Sequence, residues 1–420
     1  MNSRSPLIGL DSGIERLAGE ARHRAWFFLA MLGSLMTLTS LSTDVYLPAM
    51  PQMHMDLQGD VELTITGFLI GFALAQLVWG PLSDRIGRRL PLALGMVLFV
   101  LGSAGCALSG SIEQIVAWRV VEAMGACTGP MLARAMVRDL YGRTEAARVL
   151  STLTMIMAIA PIVGPLLGGQ MLRIDSWHGI FWLLAVLGLL LLLALVWLPE
   201  TQSPAQRSRT PLTTAFADYV TLLFQRAFMR PTLSVMFFYM GVYAFIAGSP
   251  AVYIRHFGIA PQAYGWLFGL NIAGVMLLSF ANRMLVQCFR LDTLLRAATA
   301  IAAVAMGVGM VLAASPTATL LAVVLPIFVC FSMNGIIAAS ASASATAAAL
   351  DGVPHLAGSA SALMGALQYG SGIVPSALLA WLGGDSPLAM VWIMGICVLL
   401  SAALALAPTT VCSPTQEIAS

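Results

Sequence analysis

Lysine is absent from this 420-residue sequence, so all 21 basic residues are arginine. Charge of either sign is scarce at 10% of the chain, against roughly 25% in an ordinary soluble domain. That leaves too little polar surface to keep the chain in water, which excludes a soluble enzyme, a nucleic-acid binder and a disordered segment. The six cysteines lie far apart, with no C-x-x-C pair and no Cys/His grouping at zinc spacing. Neither a disulfide framework nor a metal site is indicated.

What fills the chain is apolar. Hydrophobic residues make up 59%, with 38 glycines and 21 prolines spread among them. A bilayer core about 30 Å thick needs about 20 apolar residues in helical form. Runs of that length occur at 25–49, 63–82, 90–110, 112–136, 149–172, 179–198, 231–253, 262–282, 293–314, 317–348, 356–382 and 387–408. These twelve runs do not alternate as β-barrel strands would. The expectation is an all-α polytopic membrane protein of twelve transmembrane helices. The first 24 residues are polar and of mixed charge, and the first apolar run carries Asp44, so that run reads as an uncleaved first span.

Between the spans, arginine is one-sided. With the N-terminus inside, eighteen arginines fall in cytoplasmic segments, and only Arg173 and Arg255 fall outside. By the positive-inside rule both termini are cytoplasmic. The longest polar break, 199–229, separates an N-terminal six-helix half (25–198) from a C-terminal one (230–408), with 1–24 and 409–420 as cytoplasmic ends. Two such halves around a midplane cavity form a recurrent transporter plan, in which one half rocks on the other.

Charges within spans are costly and read as functional. Asp44 lies in the first span, and Arg119 and Glu122 lie in the fourth. Counting rise from the outer ends near Met50 and Ile112 puts Asp44 and Arg119 both about 9–10 Å deep, within reach if their helices touch. Glu122 is three residues past Arg119, on the same face. The three either form an ion pair that merely neutralises itself, or leave one acid free to bind a proton.

Two further patterns stand out. Gly80-Pro81-Leu82-Ser83-Asp84-Arg85-Ile86-Gly87-Arg88-Arg89 reads as a tight cytoplasmic turn in which Pro and Gly stop one helix. In the fifth span, Ala160, Gly164 and Gly168 repeat at i, i+4, i+8, a flat face for close packing. Pro161 and Pro165 in that span remove backbone hydrogen bonds and allow a bend. Gly125-x-x-x-Gly129 in the fourth span is a similar face.

Together these residues resemble the major facilitator superfamily. Gly80, Asp84, Arg85, Gly87, Arg88 and Arg89 are similar to its loop signature between spans 2 and 3, and Arg119 with Gly125 to its span 4 motif. Gly164, Pro165, Gly168 and Gly169 resemble the span 5 signature of its antiporters. Leu41-Ser42-Thr43-Asp44-Val45-Tyr46-Leu47-Pro48-Ala49-Met50-Pro51 is similar to the Bcr/CflA drug-resistance branch. So are Arg138-Asp139-Leu140-Tyr141, Tyr264-Gly265-Trp266-Leu267-Phe268-Gly269-Leu270-Asn271 and Pro354-His355-Leu356-Ala357-Gly358-Ser359-Ala360. The resemblance implies a proton-coupled drug antiporter with the span 1 acid and span 4 arginine in its coupling machinery. Two positions depart from that branch: Met36 stands where a second acid is common, and Glu122 where Gln or His is usual.

The resulting expectation is efflux of small, largely apolar compounds by alternating access, driven by inward protons across a bacterial inner membrane. A monomer needing no cofactor beyond the proton gradient is expected, with protons, a small-molecule substrate and the bilayer as its partners. A proton falling through about 100 mV gains about 2.3 kcal/mol, and a pH unit about 1.4. Together these support a gradient of several hundred-fold, about tenfold per 1.4 kcal/mol. Asp44, Arg119 and Glu122 are the candidate coupling residues. Tyr46, Tyr239, Tyr243, Asn271, Asn334 and Gln368 are candidates for the cavity wall or for plain interhelical hydrogen bonds. A metabolite transporter on the same fold is the alternative. A membrane enzyme is disfavoured, because all five histidines fall at span ends or in loops. The arginine asymmetry is directly testable: alkaline phosphatase fused near Gln206 should stay inactive inside the cell, and periplasmic activity would overturn the orientation.

Overall fold

The computed structural model describes residues 8–208, 212–315, 319–350, 357–383 and 386–407. The tail 409–420, Arg4, Arg209 and the Pro354–Leu356 part of one motif lie outside the described residues.

The first span is α1 (Ile8–Asp44), a single 3₁₀ turn (Leu47–Ala49) and α2 (Met50–Leu57). Next come α3 (Glu62–Ile86), α4 (Arg89–Ala107), α5 (Ile112–Ala126) and α6 (Thr128–Leu140). The first half closes with α7 (Arg143–Met171) and α8 (Trp177–Ala194). The intervening segment carries α9 (Leu212–Phe224). The second half holds α10 (Arg226–Pro250), α11 (Pro261–Cys288), α12 (Leu291–Ala313), α13 (Leu320–Ser332), α14 (Asn334–Leu350), α15 (Ala357–Gly370), α16 (Ile373–Leu382) and α17 (Pro387–Leu406).

Eleven helices among the described residues are long and apolar enough to cross a membrane. The twelfth span is α5 and α6, which meet at Cys127 in helical geometry (φ −57°, ψ −31°) and so form one rod from Ile112 to Leu140. Its charges, Arg119 and Glu122 among them, lower its hydropathy. Outward-facing side chains such as Leu190, Val304 and Leu325 are more than half exposed, which suits hydrocarbon rather than water.

Two expectations change. Pro81 does not stop its helix: α3 runs through it to Ile86 and ends at Gly87, whose φ of +98° favours glycine. A helical proline frees the carbonyl four residues back, here Leu77, and the Tyr219 hydroxyl of α9 donates to it at 3.2 Å. Asp44 is also deeper than counted. The first span continues past Met50 to Leu57, with Pro51 in the first turn of α2 where its missing N–H costs nothing. Asp44 therefore stands thirteen residues from the span's end at Leu57 rather than six from its end near Met50.

Within the first half, α3 and α4 pack on α5, α4 on α8, and α1 on α7; within the second, α10 and α12 pack on α17. The halves meet along α7–α11 and α3–α15/α16. At the end away from Arg88 the seam is tight. The Thr66 and Ser376 hydroxyls are 2.7 Å apart, and a Cβ on Gly169 would stand 2.7 Å from the Pro261 carbonyl.

The fifth-span glycine face meets backbone. A Cβ on Gly168 would fall 1.7 Å from the Val45 carbonyl oxygen, and one on Gly164 3.1 Å from the Asp44 Cβ. Gly125 and Gly129 likewise face the Gly95 and Leu35 carbonyls, at 2.3 and 2.5 Å. Gly168→Ala should therefore destabilise the protein by about 1–3 kcal/mol, as overpacking does. Gly307→Ala, with nothing within 4 Å, should be neutral or slightly stabilising. Thermal unfolding in detergent, read by size-exclusion fluorescence, separates the two; equal midpoints would refute the tight α1–α7 contact.

Candidate transport site

Three constellations carry the sequence-level candidates. The first is buried in the N-terminal half. Arg119, on α5, is 0% exposed and donates through Nη1 to Glu122 Oε2 at 2.9 Å and to the Ser42 carbonyl at 3.1 Å. Its guanidinium also lies 4.6 Å from the Tyr46 ring centre and 4.4 Å from that of Phe68, a cation–π arrangement favoured where water is absent. Cys106 on α4 donates weakly to Glu122 Oε2 at 3.7 Å. Among the described residues a single hydrogen bond holds the pair, and Arg119 Nε and Glu122 Oε1 take no part in it.

Asp44 stands apart from that pair. Arg119 lies near enough to act on it electrostatically, but the two form no ion pair among the described residues. Asp44 instead lies in the wall of the second constellation, a cavity of about 730 Å³ between the halves. The expected meeting of two acids around one arginine becomes a closed pair plus a separate acid. The geometric reason is that α1 ends at Asp44, which frees the Ser42 carbonyl to receive Arg119 while Asp44 turns to the seam.

The cavity runs between α7 and α11 and is backed by α10, α13 and α14. Among the described residues Asp44 and Arg283 are the charged ones in its wall, and most of the rest is apolar, including Met155, Phe268, Phe280 and Phe331. Near the Arg283 end, Nη2 of that residue donates to the Ser151 hydroxyl at 3.3 Å. Of the six polar candidates, Asn334 lines the cavity. Tyr46 does not: it is fully buried beside Arg119, 3.2 Å from the Thr64 hydroxyl. The Tyr239 hydroxyl faces Asn334 and Gln368, and Tyr243 packs between Tyr239 and Tyr369, at 6.2 and 6.3 Å. Asn271 donates back to Leu267 within α11. The apolar part of the wall carries no polar marker in the sequence. Its signal was present: 151, 154, 155, 158 on α7 and 268, 272, 275, 279 on α11 are single helical stripes.

The third constellation is the loop between α3 and α4. Arg88 Nε donates to Asp139 at 2.9 Å, and its Nη1 to Ser83 at 2.9 Å and Asp84 at 2.5 Å. Glu200, beyond α8, accepts the backbone N–H groups of Arg88, Arg89, Thr201 and Gln202 at 2.9–3.1 Å. Arg89 also donates to the Val196 carbonyl. A Cβ on Gly87 would meet Glu200 Oε2 at 2.5 Å. The Ser83 hydroxyl in turn donates to the Gly80 carbonyl at 2.8 Å, whereas Arg85 takes no part in this network among the described residues. Among the described residues no group of His, Cys, Asp and Glu could hold a metal ion.

With this geometry in view, the comparisons are specific. The family model described as Major Facilitator Superfamily matches residues 32–376, and the chain belongs to that superfamily. It is 29% identical over 381 residues to the bicyclomycin resistance protein homolog of Haemophilus influenzae, covering 90% of this chain and 94% of that one. It is 30% identical over 391 residues to multidrug resistance protein D of Escherichia coli, covering 90% and 95%. Its fold matches a crystal structure of a D-xylose-proton symporter with a TM-score of 0.70 at 16% identity, covering 91% and 96%.

Glu200 gives a pH test. Partial burial pushes its carboxyl up, but the four backbone donors outweigh this and hold it below its ordinary value. Its contribution is thus fully present above the usual glutamate value of about 4.3, and is lost as pH falls through the lowered one. Glu200→Gln should lower the thermal midpoint at pH 7 and flatten the acid-side loss; a wild-type profile in the variant would show that this cap contributes nothing.

Proposed function

We propose that this chain is a proton-driven exporter of small, largely apolar drugs or toxic compounds, working by alternating access in a bacterial inner membrane. The observation that carries the reading is the cavity between the halves, with an apolar wall and one carboxylate, Asp44. A relative named for bicyclomycin resistance and another for multidrug resistance support it. Both termini and the segment holding α9 are assigned to the cytoplasm, on the side of Arg85, Arg88 and Arg89. No bond is made or broken in this cycle: the chain acts as a transporter, not an enzyme. The proton gradient replaces any cofactor, and a single chain suffices.

In this reading the cavity takes substrate while Asp44 is ionised or giving up its proton. The halves then rock, and Asp44 is reprotonated from the outside. The seam sealed by Thr66–Ser376 and by the approach of Gly169 to Pro261 opens in the outward state. Gly164 and Gly168 seat α7 against α1 at Asp44, so the acid and the seam move together. Asn334 in the cavity wall, backed by Tyr239 and Gln368, orients the polar part of a substrate.

Cells expressing the protein should survive on part of a drug panel, and an uncoupler should abolish the protection. Asp44→Asn should lose proton-driven efflux at least tenfold while inserting normally. Protection that survives the uncoupler, or full efflux by Asp44→Asn in everted vesicles, would refute the coupling. Uptake of sugars or nucleosides with no drug phenotype would favour metabolite transport instead.

A further inference from the structure

Glu122 has no obvious place in that cycle. It is absent from the cavity wall and 0% exposed. Around it lie Arg119 on its own helix, Cys106 and Ser103 on α4, and Tyr46 after α1. A Cβ on Gly102 would come within 2.4 Å of the Glu122 backbone nitrogen, so α4 and α5 are in backbone contact there and hold the side chain off the cavity. We infer that Glu122 is a positioning residue: it offsets the charge of Arg119, so that Asp44 faces the cavity without an ion-pair partner and exchanges its proton freely. The inference rests on the proton-coupled reading and gives the two acids different duties.

The physical basis is the range of the field. Arg119 and Glu122, bonded at 2.9 Å, form a dipole whose field at Asp44 is weaker than that of a bare guanidinium. Remove the glutamate charge and a bare guanidinium remains, bonded to the Ser42 carbonyl two residues before Asp44. An opposite charge within about 4–6 Å favours an ionised Asp by about 1–3 pH units. The other groups facing Asp44 are Thr43 on α1, Tyr243 on α10, Tyr264 on α11 and Tyr369 on α15. Thr43 does not ionise and tyrosines ordinarily ionise near 10, so these four stay uncharged through the neutral range. From α7 the neighbour is Gly164, which cannot titrate. Arg283 shares the cavity wall. Arg119 is therefore the charge that decides, and Glu122 decides Arg119.

The test is an infrared pH titration of the purified full-length protein, following the protonated-carboxyl band that Asp44→Asn removes. Glu122→Gln should lower the midpoint of that band by about 1 pH unit or more. Arg119→Gln, which leaves the glutamate charge unbalanced, should raise it. The double variant Arg119→Gln/Glu122→Gln should return it close to wild type, and Glu122→Asp should hold it there. The opposite shifts of the single variants keep the test decisive if one of them fails to elute as a folded species. A midpoint unmoved by either single variant overturns the inference, as does a wild-type band lost in Glu122→Gln instead of Asp44→Asn. If no carboxyl band titrates in wild type, the coupling reading itself fails; an Asp44 band indifferent to Glu122 sinks only this inference.

Discussion

A guanidinium inside a membrane protein must find its charge, its donors and its packing among neighbours, because no water will supply them. Arg119 obtains the charge from Glu122, one turn along α5, and the packing from the faces of Tyr46 and Phe68. It takes a further acceptor from α1. The last four carbonyls of any helix lack partners, and Ser42 is in the last turn of α1, which ends at Asp44. The break in the first span and the buried arginine are therefore complementary. Because α1 stops there, Arg119 has an acceptor, and Asp44 is released from the ion pair to face the other half.

The prolines extend this logic to the rest of the chain. Pro81 frees the Leu77 carbonyl for Tyr219, and Pro130 frees the Ala126 carbonyl, which Thr39 of α1 takes at 2.8 Å. At these two prolines the lost intrahelical bond becomes a bond between helices, which keeps the backbone satisfied in a medium that penalises loose polar groups. The glycines serve the complementary purpose, bringing α1, α4 and α7 into backbone contact. The network at Arg88, Asp139 and Glu200 ties α3, α6 and the end of α8 together. All of these bonds except those of Tyr219 and Glu200, which come from the intervening segment, lie within the N-terminal half, so that half moves as a unit.

Much of this was legible in the sequence. Twelve apolar runs were visible, and so were the buried charges and the glycine faces, because each departs sharply from what a bilayer tolerates. Partner choice was not visible. Counting rise along ideal helices put Asp44 and Arg119 at one depth, but the count could not foresee that helical structure resumes at Met50 and carries the span to Leu57. Nor could it tell that Tyr46 would cover an arginine while Phe268 and Met155 would line the cavity. Polar residues attract attention in an apolar sequence, yet a cavity for apolar compounds is lined by residues that look like any other lipid-facing stripe. Only the packing of α7 on α11 distinguishes them.

The seam completes the argument about energy. The proposed cycle requires the contacts of that seam to break and re-form each time, so in it their strength must sit below what a proton delivers. The hydroxyl pair Thr66–Ser376 is of the kind worth about 0.5–1.5 kcal/mol net, and the approaches of Gly169 to Pro261 and of Gly265 to Leu166 are neutral van der Waals contacts. The strong interactions, Arg119 with Glu122 and Arg88 with Asp84 and Asp139, lie inside one half, where rocking leaves them intact. A change of charge at Asp44, placed beside the seam and against Gly164, acts on the weak contacts. In the proposed cycle, such a division would let a single proton, worth about 3.7 kcal/mol at about 100 mV and one pH unit, choose between two arrangements of otherwise rigid halves.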